Sequence, residues 1–118
     1  MVRCENKLIA TVLFLALLTI IPNRASAACR GNTQIELNVC TMNEFKSADR
    51  ELNAYYTKLA KTNELVASQT AWNGYREAEC AYQAKFVEGG SMAPMVLSQC
   101  LTELTKQRLK QLIKDQQF

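Results

Sequence analysis

Residues 72–100 read WNGYREAEC, AYQAKFV, EGGSMAPM and VLSQC, and this stretch decides the fold. It has the form of a helix, a Gly-Gly-Ser turn and a second helix, with Cys80 and Cys100 ten residues either side of Gly90. A disulfide needs Cα atoms within about 7 Å, a distance that positions equidistant from a tight turn on adjacent antiparallel helices can meet. The symmetry therefore predicts a helical hairpin stapled by Cys80 and Cys100.

Outside the hairpin, the N-terminal 27 residues have the pattern of an export signal. Arg3 and Lys7 form a basic start, and Leu8 to Ile21 is an apolar run of 14 residues. Pro22 breaks that run, and Ala25-Ser26-Ala27 is a small-x-small cleavage site. Cleavage leaves a chain that begins at Ala28. The rival reading, a retained anchor, is weaker because 14 helical residues span only about 21 Å against a hydrocarbon core of about 30 Å. A lipid-anchored form would need an aliphatic residue where Ser26 stands.

The sequence has 118 residues, with 14 basic and 11 acidic side chains. Arg3, Lys7, Arg24 and Glu5 leave with the signal, so residues 28–118 hold 11 basic and 10 acidic groups, scattered among one another. Such a balance disfavours a nucleic-acid binder, which carries a basic stripe. It leaves a protein partner open, and after signal cleavage no stable membrane insertion is expected.

Cys4 also leaves with the signal. The four remaining cysteines, Cys29, Cys40, Cys80 and Cys100, form the even set of an exported disulfide framework, for which three pairings exist. With Cys80 paired to Cys100 by hairpin symmetry, Cys29 is left for Cys40. Cys40 falls about two turns, roughly 11 Å, into the first helix, and residues 29–33 can fold back over that distance. Zinc is the alternative use of four cysteines. Gaps of 10, 39 and 19 residues and the absence of histidine from the sequence speak against it, and no cofactor is expected.

Thr33-Gln34-Ile35-Glu36 is a capping box and predicts a helix start. From there Ile35, Val39, Met42, Phe45, Ala48, Leu52, Tyr55 or Tyr56, and Leu59 recur at three and four residues, predicting an amphipathic helix to about Lys61. A second helix is expected from about Glu64 to Val87. Its core stripe would be Leu65, Ser68 or Gln69, Trp72, Tyr75, Glu79, Tyr82 and Phe86, with Gly74 marking a close approach or a bend. A third should begin near Met92 with Pro94 in its first turn, placing Leu97, Leu101, Leu104, Leu109 and Leu112 or Ile113 on its apolar side. With no alternating run long enough for a strand, the predicted fold is all-α, a three-helix hairpin bundle stapled by two disulfides.

Few residues suggest chemistry. Asp49, Asn53 and Tyr56 share one face of the first helix, and Gln69, Trp72 and Arg76 share one face of the second. These positions predict a semi-buried Asp49–Arg76 ion pair tying the two helices, with Asn53 and Gln69 supplying the hydrogen bonds that buried charges require. Glu77 and Glu79 point apart, and Ser91 has no histidine to activate it, so no catalytic group is expected.

The segments TQIELNVC, ADRELNAYYTKL, QTAWNGYREAEC and GGSMAPM, followed by Cys100, Leu104, Thr105 and Arg108, resemble the LprI-type lysozyme inhibitor N-terminal domain family. The pattern falls on Thr33, Gln34, Asn38, Cys40, Ala48, Asp49, Leu52, Asn53, Tyr56, Trp72, Tyr75, Arg76 and Cys80, and the likeness extends over roughly Cys29 to Leu112. The resemblance implies a small helical bacterial protein, periplasmic or secreted, whose protein partner is lysozyme. It carries no inhibitory motif that can be placed residue by residue. A lysozyme cleft holds two catalytic carboxyl groups, and a braced loop loses little entropy on entering it. The candidate contact is therefore the hairpin tip, Gly89, Gly90 and Ser91, with Lys85 shortly before it. The alternative is an envelope binding module or immunity-type partner with no action on lysozyme.

Overall fold

The computed structural model describes residues 29–117. The expected export signal, Ala28 and Phe118 lie outside the described residues. The described residues form three helices: α1 (Gln34–Tyr56), α2 (Asn63–Lys85) and α3 (Ala93–Asp115). Among the described residues there is no strand.

The capping box forms at α1. The Thr33 hydroxyl accepts from the Glu36 amide at 3.2 Å, and the Glu36 carboxylate accepts from the amides of Asn32 and Thr33. The helix ends at Tyr56 rather than near Lys61. Lys58 and Leu59 tighten onto the carbonyls of Tyr55 and Tyr56, and the Lys61 ammonium folds back to the carbonyls of Tyr56 and Leu59, 4.3 Å from the Tyr56 ring. A cation there complements the negative end of the helix dipole. Thr62 then caps α2 by accepting from the Leu65 amide. At the other hairpin end Gly89 adopts φ +79°, which a side chain would resist, and Pro sits in the first turn of α3.

Helix α3 is the shared element. It packs along both α1 and α2, whose backbones do not approach each other. Both disulfides form: Cys80–Cys100 across the hairpin with Cα atoms 5.4 Å apart, and Cys29–Cys40 at 5.6 Å, tying the lead-in to α1.

The central position of α3 sets its composition. Its most buried line is Ser98, Thr102, Thr105, Arg108 and Leu112, mainly small or polar residues that let two helices close on it. The expected leucines 97, 101, 104 and 109 flank this line, half-buried. Thr102 and Thr105 satisfy their hydroxyls on the carbonyls of Ser98 and Leu101, at 2.8 and 2.6 Å. Buried apolar side chains are few, with Ala48, Leu52 and Leu112 joined by Cys80 and Cys100. So thin a core gives the two covalent links a large share of the stability.

Two expected stripes are corrected. On α1 and the turn after it, Met42, Phe45, Ala48, Leu52, Tyr55, Tyr56 and Leu59 are buried or half-buried as expected, but Ile35 and Val39 are 75% and 56% exposed, and Gln34, Leu37, Asn38 and Thr41 take the inner face. On α2 the inner stripe is Leu65, Gln69, Trp72, Arg76, Cys80, Ala84 and Val87. Tyr75, Tyr82 and Phe86 lie outside it, because the helix is oriented by Arg76 and Cys80, each of which has its partner on a neighbouring helix.

Gly74 marks neither a helix contact nor a bend. It lies on the exposed side of α2, and a Cβ built there meets no atom within 4 Å. Gly74→Ala is therefore expected to stabilise the domain by about 1 kcal/mol, the helix-propensity difference. In a domain of this size that raises the melting temperature by about 4–8 °C in a calorimetric scan.

Candidate functional site

Two arginines knit the three helices. The Arg76 Nη1 of α2 lies 2.8 Å from the Asp49 carboxylate of α1 and also donates to the Thr105 hydroxyl of α3 at 3.0 Å. Asn53 Nδ2 donates to the other Asp49 oxygen at 3.1 Å. The Arg76 guanidinium rests 4.8 Å from the Trp72 ring and 5.4 Å from that of Phe45, and aromatic faces attract such a cation.

Gln69 does not serve this pair. Its Oε1 accepts from Arg108 Nε at 3.0 Å, while the other Arg108 nitrogens reach Gln111 and Ser68. Arg108 lies 5.9 Å from Trp72, so both guanidinium groups are held against the same indole. Burial lowers the Arg108 pKa from its ordinary value, with Asp115 and Tyr56 opposing. Guanidinium nevertheless stays charged throughout the physiological range. Arg108 and Thr105 lie within the segments that carried the family resemblance, but their partnership with Gln69 and Arg76 was not visible in sequence. Helical spacing relates residues of one helix and says nothing of which neighbour they meet.

This seam braces the fold and offers little to a substrate, since Arg76 and Arg108 are only 8% and 6% exposed. The candidate contact residues of the hairpin tip, by contrast, face outward. Gly89, Gly90 and Ser91 are all exposed, and the turn is closed by the Gly90 amide on the Val87 carbonyl at 3.0 Å. A Cβ at Gly90 would meet that same carbonyl oxygen at 3.1 Å.

A second brace comes from α1. Asn38 Nδ2 donates to the Ser91 carbonyl at 3.0 Å, and Gln34 holds the Asn38 side chain with a 2.9 Å bond. Asn38 belongs to the family-like pattern, and its i, i+4 spacing from Gln34 is the sequence signal for their bond. Beside the tip, α1, α2 and the start of α3 enclose an open groove of about 440 Å³, lined by Met42, Ala84, Pro94 and Leu97, with Lys85, Glu88 and Gly89 also on its wall. Gly89, Gly90 and Ser91 thus stand on a braced turn, with Lys85 on the wall of the recess beside it. No helix among the described residues is long and apolar enough to cross a membrane, and no group of three or more metal-ligating side chains occurs among them.

Comparison with known proteins places this arrangement. The chain is 32% identical over 99 residues to the uncharacterized protein R02472 of Rhizobium meliloti (strain 1021), covering 68% of this chain and 71% of the relative. No solved structure matches it. The family described as "Lysozyme inhibitor LprI" matches residues 25–112, which include all three helices to within three residues of the end of α3, both disulfides, the arginine seam and the tip, and the chain belongs to that family.

Proposed function

We propose that the protein is an exported bacterial inhibitor of lysozyme that acts by steric occlusion and performs no catalysis of its own. The family match over residues 25–112 carries this reading. Export to the periplasm or beyond is supported by the signal-like first 27 residues and by four cysteines joined in two disulfides.

The tip supplies a physical means of occlusion. Gly89–Ser91 projects from a hairpin locked by Cys80–Cys100 and clamped by Asn38, so little conformational entropy is lost when it enters a cleft. Lys85, exposed beside it, offers an ammonium group to the cleft carboxylates of a lysozyme.

The test is muramidase activity on a cell-wall suspension, titrated with oxidised protein spanning Ala28 to Phe118 and repeated with chicken-, goose- and invertebrate-type lysozymes. Activity should fall to a floor near an equimolar ratio for at least one class. No inhibition of any class, with helicity and both disulfides intact, would replace this reading with that of an envelope binding module or immunity-type partner.

A further inference from the structure

Helix α2 carries a second apolar stripe, on the side turned away from the core. Ala67, Ala71, Tyr75, Ala78, Tyr82 and Phe86 recur at intervals of three and four residues, and all six are exposed. Tyr75, Tyr82 and Phe86 are 55%, 61% and 75% accessible, and the last two rings pack edge to face, 5.2 Å between centroids. The alanines leave the rings standing clear of the helix surface. Isolated exposed apolar residues are ordinary, but three aromatic rings in line on one helix make a continuous patch of the kind that marks an interaction surface.

We infer that this stripe is the docking face for a cationic protein surface, laid along the partner while the adjoining tip enters its cleft. The inference rests on the lysozyme reading and names the surface and the partner chemistry that reading leaves open. Charge selects the occupant. Glu64 lies in line with the stripe, the half-buried Glu79 flanks it and Glu88 stands exposed at its tip end, against a single exposed cation of α2, Lys85, because Arg76 is buried and paired with Asp49. An anionic bilayer would be repelled by this excess of carboxylates, whereas a basic protein meets complementary potential; a second copy, which could set Lys85 against Glu64, is an outcome of the test. The stripe also runs directly into the candidate site, since Phe86 is three residues before Gly89.

The experiment pairs binding with inhibition. Oxidised protein spanning Ala28 to Phe118, its Tyr82→Ser/Phe86→Ser variant and a Val66→Ser/Ile113→Ser control, altered at exposed apolar residues elsewhere, are titrated against the same three lysozyme classes by calorimetry, with helicity checked by circular dichroism. Removing two interface aromatics should weaken binding about 100-fold or more, with the control within about twofold, a surface substitution away from special features costing at most about 0.5 kcal/mol. Binding by the unaltered protein should also weaken as salt rises, since screening acts on exposed charges.

Equal binding by the unaltered protein and the Tyr82→Ser/Phe86→Ser variant overturns the stripe while leaving the inhibitor reading intact. Absence of binding by the unaltered protein to every class overturns both. An unaltered protein that sediments as a dimer, converted to monomer by the double variant, assigns the stripe to self-association and overturns the partner named here.

Discussion

Replacing both Cys80 and Cys100 by serine is expected to lower stability by about 3 kcal/mol, within the 2–5 kcal/mol usual for a native disulfide in a small domain. In a domain of this size the melting temperature should fall by more than 10 °C, at about 4–8 °C per kcal/mol. The bridge lies across the α2–α3 hairpin with Cys80 wholly buried, in a core whose other buried apolar side chains, among the described residues, are Ala48, Leu52 and Leu112. Little else can compensate. Differential scanning calorimetry of the double variant checks the effect, and a melting temperature within 3 °C of the parent would refute it. The Cys29–Cys40 bridge closes a shorter loop at the edge of the fold, so its removal should cost less.

The second large effect is expected at the arginine seam. Asp49→Ala strips the 8%-exposed Arg76 of its counter-charge, leaving the Thr105 hydroxyl and two aromatic faces as its company. Orphaning a fully buried charge costs about 3–5 kcal/mol. The Asp49 side chain retains a third of its accessibility, so solvent screens the pair and about 2 kcal/mol is the appropriate figure. In an Arg76→Met background the same Asp49→Ala change should cost under about 0.5 kcal/mol, because no guanidinium remains to be stranded. Urea unfolding of the four proteins measures this coupling directly. Equal costs in both backgrounds would mean that Asp49 contributes through α1 alone.

Both effects concern features that were partly legible before any fold was known. Thr33 and Glu36 announce the start of α1 through local hydrogen bonds, and the Gly89-Gly90 turn needs a backbone conformation that glycine alone adopts freely. The place of Cys80 and Cys100 about that turn follows from counting residues along two antiparallel helices. The Asp49–Arg76 pair was legible for a similar reason, each residue lying on a face that its own helix's periodicity marks as bordering the core.

The candidate site was less legible. Gly89, Gly90 and Ser91 were marked as a turn, but the brace from Asn38 and the groove built with Met42 depend on where α1 crosses the hairpin. Gln69 shares the Arg76 face of α2, seven residues before it, yet it bonds Arg108 of α3. The aromatic weight of Tyr75, Tyr82 and Phe86 suggested a core stripe, and the structure turns that stripe to solvent.

The division has one physical origin. Caps, turns and helix lengths arise from interactions within a few residues of chain, so the amino-acid order alone specifies three helices, a stapled hairpin and the spacing of every stripe. Which stripe is buried depends on what each side chain finds on the neighbouring helix. Arg76 and Arg108 go inside because Asp49, Thr105 and Gln69 await them there, and the rings of Tyr75, Tyr82 and Phe86 stay outside because α3, which packs on α2, covers the opposite stripe.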